Sequence, residues 1–304
     1  MTASTSGQLA ALGAAGLWAF TALAIDQAAR RIGSLTVNLI RLVQAFCFLC
    51  LVSWIVRGVP LPIDASRHAW GWLALSGLVG FVFGDLCLYR SYLVIGPRLS
   101  TLMMSLVPLL TTVIGWLALG EVLNPRQMIG MLLTVGGIGW AVLDRSKSWT
   151  ALPADRPGVP LSGLALAFGG ALGQSGGLVL SKIGIGDYNA FAATQIRVLA
   201  GIAGYTLMFF VLRWWPNLRT GLRDRRALGF AALGAFFGPC IAVSLSLIAI
   251  RSTLAGVAAS IMALTPVLII PLVVLLRRER VGIGGVLGAL VAVSGVCLLF
   301  LSAG

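Results

Sequence analysis

The chain has 304 residues, of which 59% are hydrophobic and only 10% charged, with a formal net charge of +13. So few charged side chains cannot clothe a water-soluble domain of this size, which places the chain in a bilayer. Its Arg residues stand at the ends of apolar runs and form no contiguous basic stripe, so they read as interface anchors and nucleic acid is excluded as a partner.

Apolar runs of about 20 residues, enough to cross a hydrocarbon core about 30 Å thick, are expected near 7–29, 35–56, 69–89, 99–119 and 126–143. Residues 1–144 thus form one five-helix unit, and 145–160 is a polar, Pro-bearing linker. Five more spans are expected within 161–304, near 161–183, 189–212, 227–250, 254–276 and 281–302.

The second unit repeats the first. Pro108 and Glu121 return as Pro266 and Glu279, with 266 − 108 = 279 − 121 = 158, and the same shift pairs Gly80 with Gly238, Gly130 with Gly288 and Gly137 with Gly295. Upstream the shift is 156, laying Gly13 on Gly169 and Ile40-Arg41 on Ile196-Arg197. An odd number of spans per repeat turns the halves over relative to one another, so the expected fold is an all-α integral membrane protein of ten transmembrane helices in two inverted five-helix repeats. Glycine pairs such as Gly80/Gly84 and Gly234/Gly238 read as close-packing sites between helices.

Polar groups inside a span are costly, so those away from helix ends are candidates for a site. The second span offers Asn38, Arg41 and Gln44 at three-residue steps, and its repeat offers Thr194 and Arg197. Each Arg has two readings, contact with a carboxylate or phosphate and snorkelling to the interface. The third span carries Phe81, Asp85, Tyr89 and Tyr92 on one helix face, with Val243 standing in the repeat where Asp85 would be. Arg90, five residues on, is a candidate counter-ion for Asp85. Trp18 and its counterpart Gln174 lie near mid-span, as cavity wall or as packing. Pro108 and Pro266 are expected to kink helix interiors and act as hinges. Glu121 and Glu279 stand at span ends.

Catalytic readings find no support. A single His, His68, removes histidine triads and multi-histidine metal sites. Cys47 and Cys50 lie in an apolar helix with no His nearby, so packing is favoured over redox chemistry. No enzyme activity, metal or cofactor is expected.

Trp18, Arg41/Arg197, Pro108/Pro266 and Glu121/Glu279, set in two five-helix repeats, resemble the EamA family of the drug/metabolite transporter superfamily, and within it bacterial aromatic amino-acid exporters. The resemblance implies export of aromatic and other neutral amino acids across the cell inner membrane by alternating access, by a monomer with both termini in the cytoplasm. Lys and Arg instead gather on the side of the first interhelical loop, which taken alone puts that side in the cytoplasm. Gln174 departs from the Trp that related exporters keep. The first and sixth spans have no mid-span carboxylate, so the proton exchange of the small multidrug-resistance relatives does not carry over; Asp85 is the one acidic candidate well inside a span, with no symmetric partner and with Arg90 near enough to hold it ionised, so facilitated diffusion is expected. The alternative substrates are anionic or phosphorylated metabolites such as sugar phosphates, read from paired Arg41 and Arg197.

Overall fold

The structure is a computed structural model describing residues 3–144, 160–268 and 283–301. All regular structure among them is helical. The first half comprises α1 (Ala3–Ile32), α2 (Ser34–Arg57), α3 (Arg67–Gly77), a π-helical segment (Leu78–Gly84), α4 (Asp85–Met104), α5 (Val107–Leu119) and α6 (Pro125–Asp144). The second comprises α7 (Leu161–Ile185), α8 (Ala190–Val211), short α9 (Trp215–Gly221), α10 (Arg225–Ala235), a second π segment (Phe236–Ala242), α11 (Val243–Ser252), α12 (Ala255–Met262) and α13 (Ile283–Leu301). Nearly all of the linker, Glu279 and the end of the expected ninth span lie outside the described residues.

Eight helical stretches among the described residues are long and apolar enough to cross a membrane, and Ala255–Leu268 is a shorter apolar helix. Their side chains are sorted as lipid demands. Leu51, Trp54, Ile55, Trp116, Leu117 and Leu290 are exposed, whereas Thr36, Asn38, Ser53, Ser76, Thr111, Ser175 and Ser244 are buried. Several buried hydroxyls are satisfied within their own helix, as when Ser175 and Ser244 donate to the carbonyls of Ala171 and Cys240 four residues back.

Sequence explains where the helices begin and end. Gly58 and Gly120 close α2 and α5 in the left-handed conformation, with φ of 72° and 67°. Ser66, Asn189 and Asp224 cap α3, α8 and α10 by accepting from backbone N–H groups of the first turn. Asn124 and Gln127 cap α6 reciprocally, each side chain accepting from the other's backbone N–H.

Irregularities recur at the repeat spacing. The π segments start at Leu78 and Phe236, and 236 − 78 = 158. A two-residue break at Ser105–Leu106 returns at Ala263–Leu264 with the same shift. α4 does not run straight where the third span passes into the fourth: the Ser91 and Ser100 hydroxyls lie 2.7 Å apart, whereas nine residues of straight helix would separate them by about 13 Å.

The prolines need correction. Pro108 is not inside a helix; it occupies the first turn of α5, just after the Ser105–Leu106 break. Pro266 likewise follows the Ala263–Leu264 break. A first-turn proline loses no helical hydrogen bond, so each marks a helix start, and any hinge lies in the break before it. Pro239, by contrast, sits inside a helical segment, the second π segment.

The halves pack by exchanging partners. The third span of the first half lies antiparallel on α7, where a Cβ on Gly177 would come 3.0 Å from Gly80 Cα and one on Gly163 2.9 Å from Val94 Cγ1. The equivalent span of the second half lies on α1, where a Cβ on Gly238 would come 2.8 Å from Thr21 Cγ2 and one on Gly7 2.8 Å from Ser252 Cβ. These contacts correspond pair by pair under the two sequence shifts. At another seam α6 meets α13: Gly130 lies against Gly295, and Gly137 against Gly288. Because Gly130 matches Gly288 and Gly137 matches Gly295 in the repeat, each helix offers the other the same patch. The crossed order of the pairs makes α6 and α13 antiparallel.

Candidate substrate site

Asp85 is the centre of a polar cluster built from both halves. It follows the first π segment, whose extra residue per turn turns the lower half of the third span relative to α3. Its carboxylate faces α2 on one side and α7 on the other. Gln174 Nε2 donates to Asp85 Oδ1 at 2.9 Å, and Arg41 Nη2 donates to Oδ2 at 3.5 Å. Arg90 is not the counter-ion: five residues place it about 140° round the helix, where it is exposed.

A second chain of hydrogen bonds lies beside the first. Tyr89 OH donates to Asn38 Oδ1 at 3.5 Å, Asn38 Nδ2 donates to Tyr205 OH at 3.3 Å, and Tyr205 OH donates to the Phe81 carbonyl at 3.0 Å. That carbonyl belongs to the π segment, where the regular ladder is broken, so Tyr205 anchors the distortion from α8. Tyr205 was missed by the sequence reading, although its phenol is a strongly polar group in the apolar run 198–211.

The remaining candidates separate. Thr194 is fully buried, donates to the Ala190 carbonyl and accepts from Ser244, and so serves helix packing apart from Asp85. Gln44 turns to α10 and donates to the Leu228 carbonyl, because each three-residue step along a helix falls about 60° short of a full turn. Trp18 is half-buried between two apolar clusters, one of α1, α7, α8, α11 and α12 residues and one containing Phe81, Tyr205 and Val243. The Tyr92 side chain lies outside the described residues. Arg197 is buried on α8 with its guanidinium 5.1 Å from the centre of the Phe81 ring.

The arrangement is suited to holding a small polar molecule at membrane depth, and among the described residues no cluster of three or more His, Cys, Asp or Glu gathers to hold a metal. The sequence profile of the EamA-like transporter family matches residues 5–143 and again 161–301. The chain belongs to the EamA-like transporter family. EamA-like proteins are membrane transporters of the drug/metabolite superfamily, and this one is a multi-pass membrane transporter. The two matched blocks correspond to the two halves described above. No curated protein matches the chain. A solved structure titled only "Crystal structure of protein" is similar over 98% of this chain and 97% of its own, at 20% identity and a TM-score of 0.78. At that identity the likeness bears on the fold alone.

Proposed function

We propose that this EamA-like protein exports amino acids, aromatic and other neutral ones among them, across the cell inner membrane by alternating access. Ten spans in two inverted five-helix repeats form the machine. The antiparallel α6–α13 seam and the exchanged packing of α3 on α7 and α10 on α1 support this arrangement. Residues 1–144 and 161–304 are its two repeats, and it works as a monomer.

The observation that carries the substrate class is the charge balance at depth. Arg41 is paired with Asp85, so the cluster does not offer two free guanidiniums to a dianionic phosphate ester. One cation, Arg197, is left for one carboxylate, with Phe81, Tyr89, Tyr205 and Trp18 supplying apolar and aromatic surface nearby. A neutral amino acid, with one carboxylate and an uncharged side chain, fits that inventory better than a sugar phosphate. Trp18, Asn38, Arg41, Asp85, Tyr89, Gln174 and Arg197 are the contact set; Thr194, bonded to Ala190 and Ser244, stands outside it.

Counterflow into proteoliposomes tests the reading. Vesicles loaded with unlabelled L-phenylalanine or L-methionine should take up the labelled form faster than empty ones. Exchange seen only with phosphate esters would overturn the proposal.

A further inference from the structure

We infer that Arg197 is the residue that binds the substrate's carboxylate, and that Arg41, its counterpart in the other repeat, is not. The inference rests on the amino-acid reading above and narrows it to substrates with a free carboxylate.

Arg197 is only 6% exposed, yet its Nε has no hydrogen-bond partner and no carboxylate of a described residue lies within ion-pairing distance. A buried charge at membrane depth is unfavourable unless something neutralises it in the working state. Among the described residues Arg197 meets the Phe81 ring, 5.1 Å away. A ring face offers a cation attraction but no hydrogen-bond acceptor. The five N–H groups point outward in the guanidinium plane, where a carboxylate is met bidentately. Gly80 keeps space beside that edge: a Cβ there would already touch Nη2 at 3.6 Å, and any longer side chain would crowd it.

Arg41 differs through one substitution between the repeats. Asp85 Oδ2 accepts from Arg41, whereas the position matching Asp85 in the second half is Val243, since 243 − 158 = 85. Val243 is buried in the apolar cluster that includes Phe81 and Tyr205. One half therefore neutralises its arginine internally, and the other leaves its arginine to be neutralised by what enters.

The test uses the full chain, purified in detergent, with melting temperature as the readout. L-phenylalanine and L-methionine are compared with their amides, which keep the ammonium and side chain but lose the carboxylate, and 3-phenylpropionate is added as a carboxylate without an ammonium. The acids should raise the wild-type melting temperature and the amides should not. Arg197→Gln should weaken apparent affinity for the acids roughly 10- to 100-fold, the effect expected for losing charge-assisted hydrogen bonds, while Arg41→Gln should keep the discrimination between acid and amide. Should Arg197→Gln fail to fold, Arg197→Lys retains the charge without the planar fork and should show a weakened preference for the acid. A wild type that treats acid and amide alike, or an Arg197 variant with the full acid preference, overturns the inference. Absence of amino-acid counterflow with the carboxylate-dependent shift intact sinks the export reading alone; counterflow without carboxylate dependence sinks this inference alone.

Discussion

Lys182 on α7 is ion-paired with Glu121, in the turn that follows α5. The pair bridges the two halves and does more than match charges. Glu121 Oε2 also accepts from the backbone N–H of Ala255 at 2.7 Å, at the start of α12, and Lys182 donates to the Thr253 carbonyl at 2.5 Å. A carboxylate at a helix N-terminus meets the positive end of the helix dipole. Truncating one partner of a buried ion pair costs about 3–5 kcal/mol, and side-chain exposures of 18% and 11% place this pair at the lower end. Glu121→Ala and Lys182→Ala should each lower the melting temperature in detergent. The double variant should lose less than the sum, and strict additivity would show that the two residues act independently.

Neighbouring glycines on α6 should behave in opposite ways. A Cβ on Gly137 would collide with the backbone of α13 at Ala292 and Gly288, whereas one on Gly136 meets nothing within 4 Å. Gly137→Val should therefore sharply reduce the yield and melting temperature of folded protein. Gly136→Ala should leave both unchanged or slightly improved, because alanine favours helix by about 1 kcal/mol over glycine. Equal effects at the two positions would contradict the seam.

Arg41 and Asp85 are expected to be coupled. Removing either alone strands a buried group that the other now serves. Arg41→Met and Asp85→Asn should each impair counterflow at matched protein levels, and the double variant should be less impaired than the worse single. A double variant that multiplies the two losses would mean the side chains contribute separately.

Energy coupling is expected to be absent. A carrier of protons needs a carboxylate free to load and unload from alternate sides. Both oxygens of Asp85, the candidate deepest in a span, are already engaged by Gln174 and Arg41. An imposed pH gradient should leave counterflow in proteoliposomes almost unchanged. Accumulation of neutral amino acid above equilibrium, lost in Asp85→Asn with exchange retained, would make the protein an antiporter.

Asp224 provides a pH signature at the membrane surface. It caps α10, and acceptance from the Ala227 N–H, together with the Arg31 guanidinium at 2.7 Å, holds its carboxyl below the usual carboxylate range. A depressed folded value means the stabilisation is complete above the unfolded value, about pH 4, and is lost as pH falls through the folded one. The melting-temperature gap between wild type and Asp224→Ala should thus be constant above about pH 5 and shrink below about pH 4. A gap that widens on acidification would reverse the sign and refute the assignment.

Much of this architecture was legible because hydrophobic length and an internal repeat survive in a single sequence. The shift that pairs Gly137 with Gly295 located the very residues that meet across α6 and α13. The partner of Asp85 was not legible. Sequence proximity suggested Arg90, but helical rotation turns it away and long-range packing brings Arg41 from α2 instead. Local pattern also placed Asn38, Arg41 and Gln44 together, although the helix repeat carries Gln44 round to α10. The π segments left no trace in composition: Leu78–Gly84 contains no proline and Phe236–Ala242 contains one, yet both adopt the same geometry. Tyr205 was overlooked because its role is to donate to a carbonyl of that segment, the Phe81 one, a contact that only the fold reveals.

The exchanged packing has a consequence for biogenesis. Gly7, Thr21 and Ile25 of α1 find their close neighbours at Ser252, Gly238 and Gly234, more than two hundred residues later in the chain. That face of α1 must therefore wait, without these neighbours, until most of the second half has been translated. Neither half can complete its own interior, and two separately expressed halves should be stable only when made in the same cell.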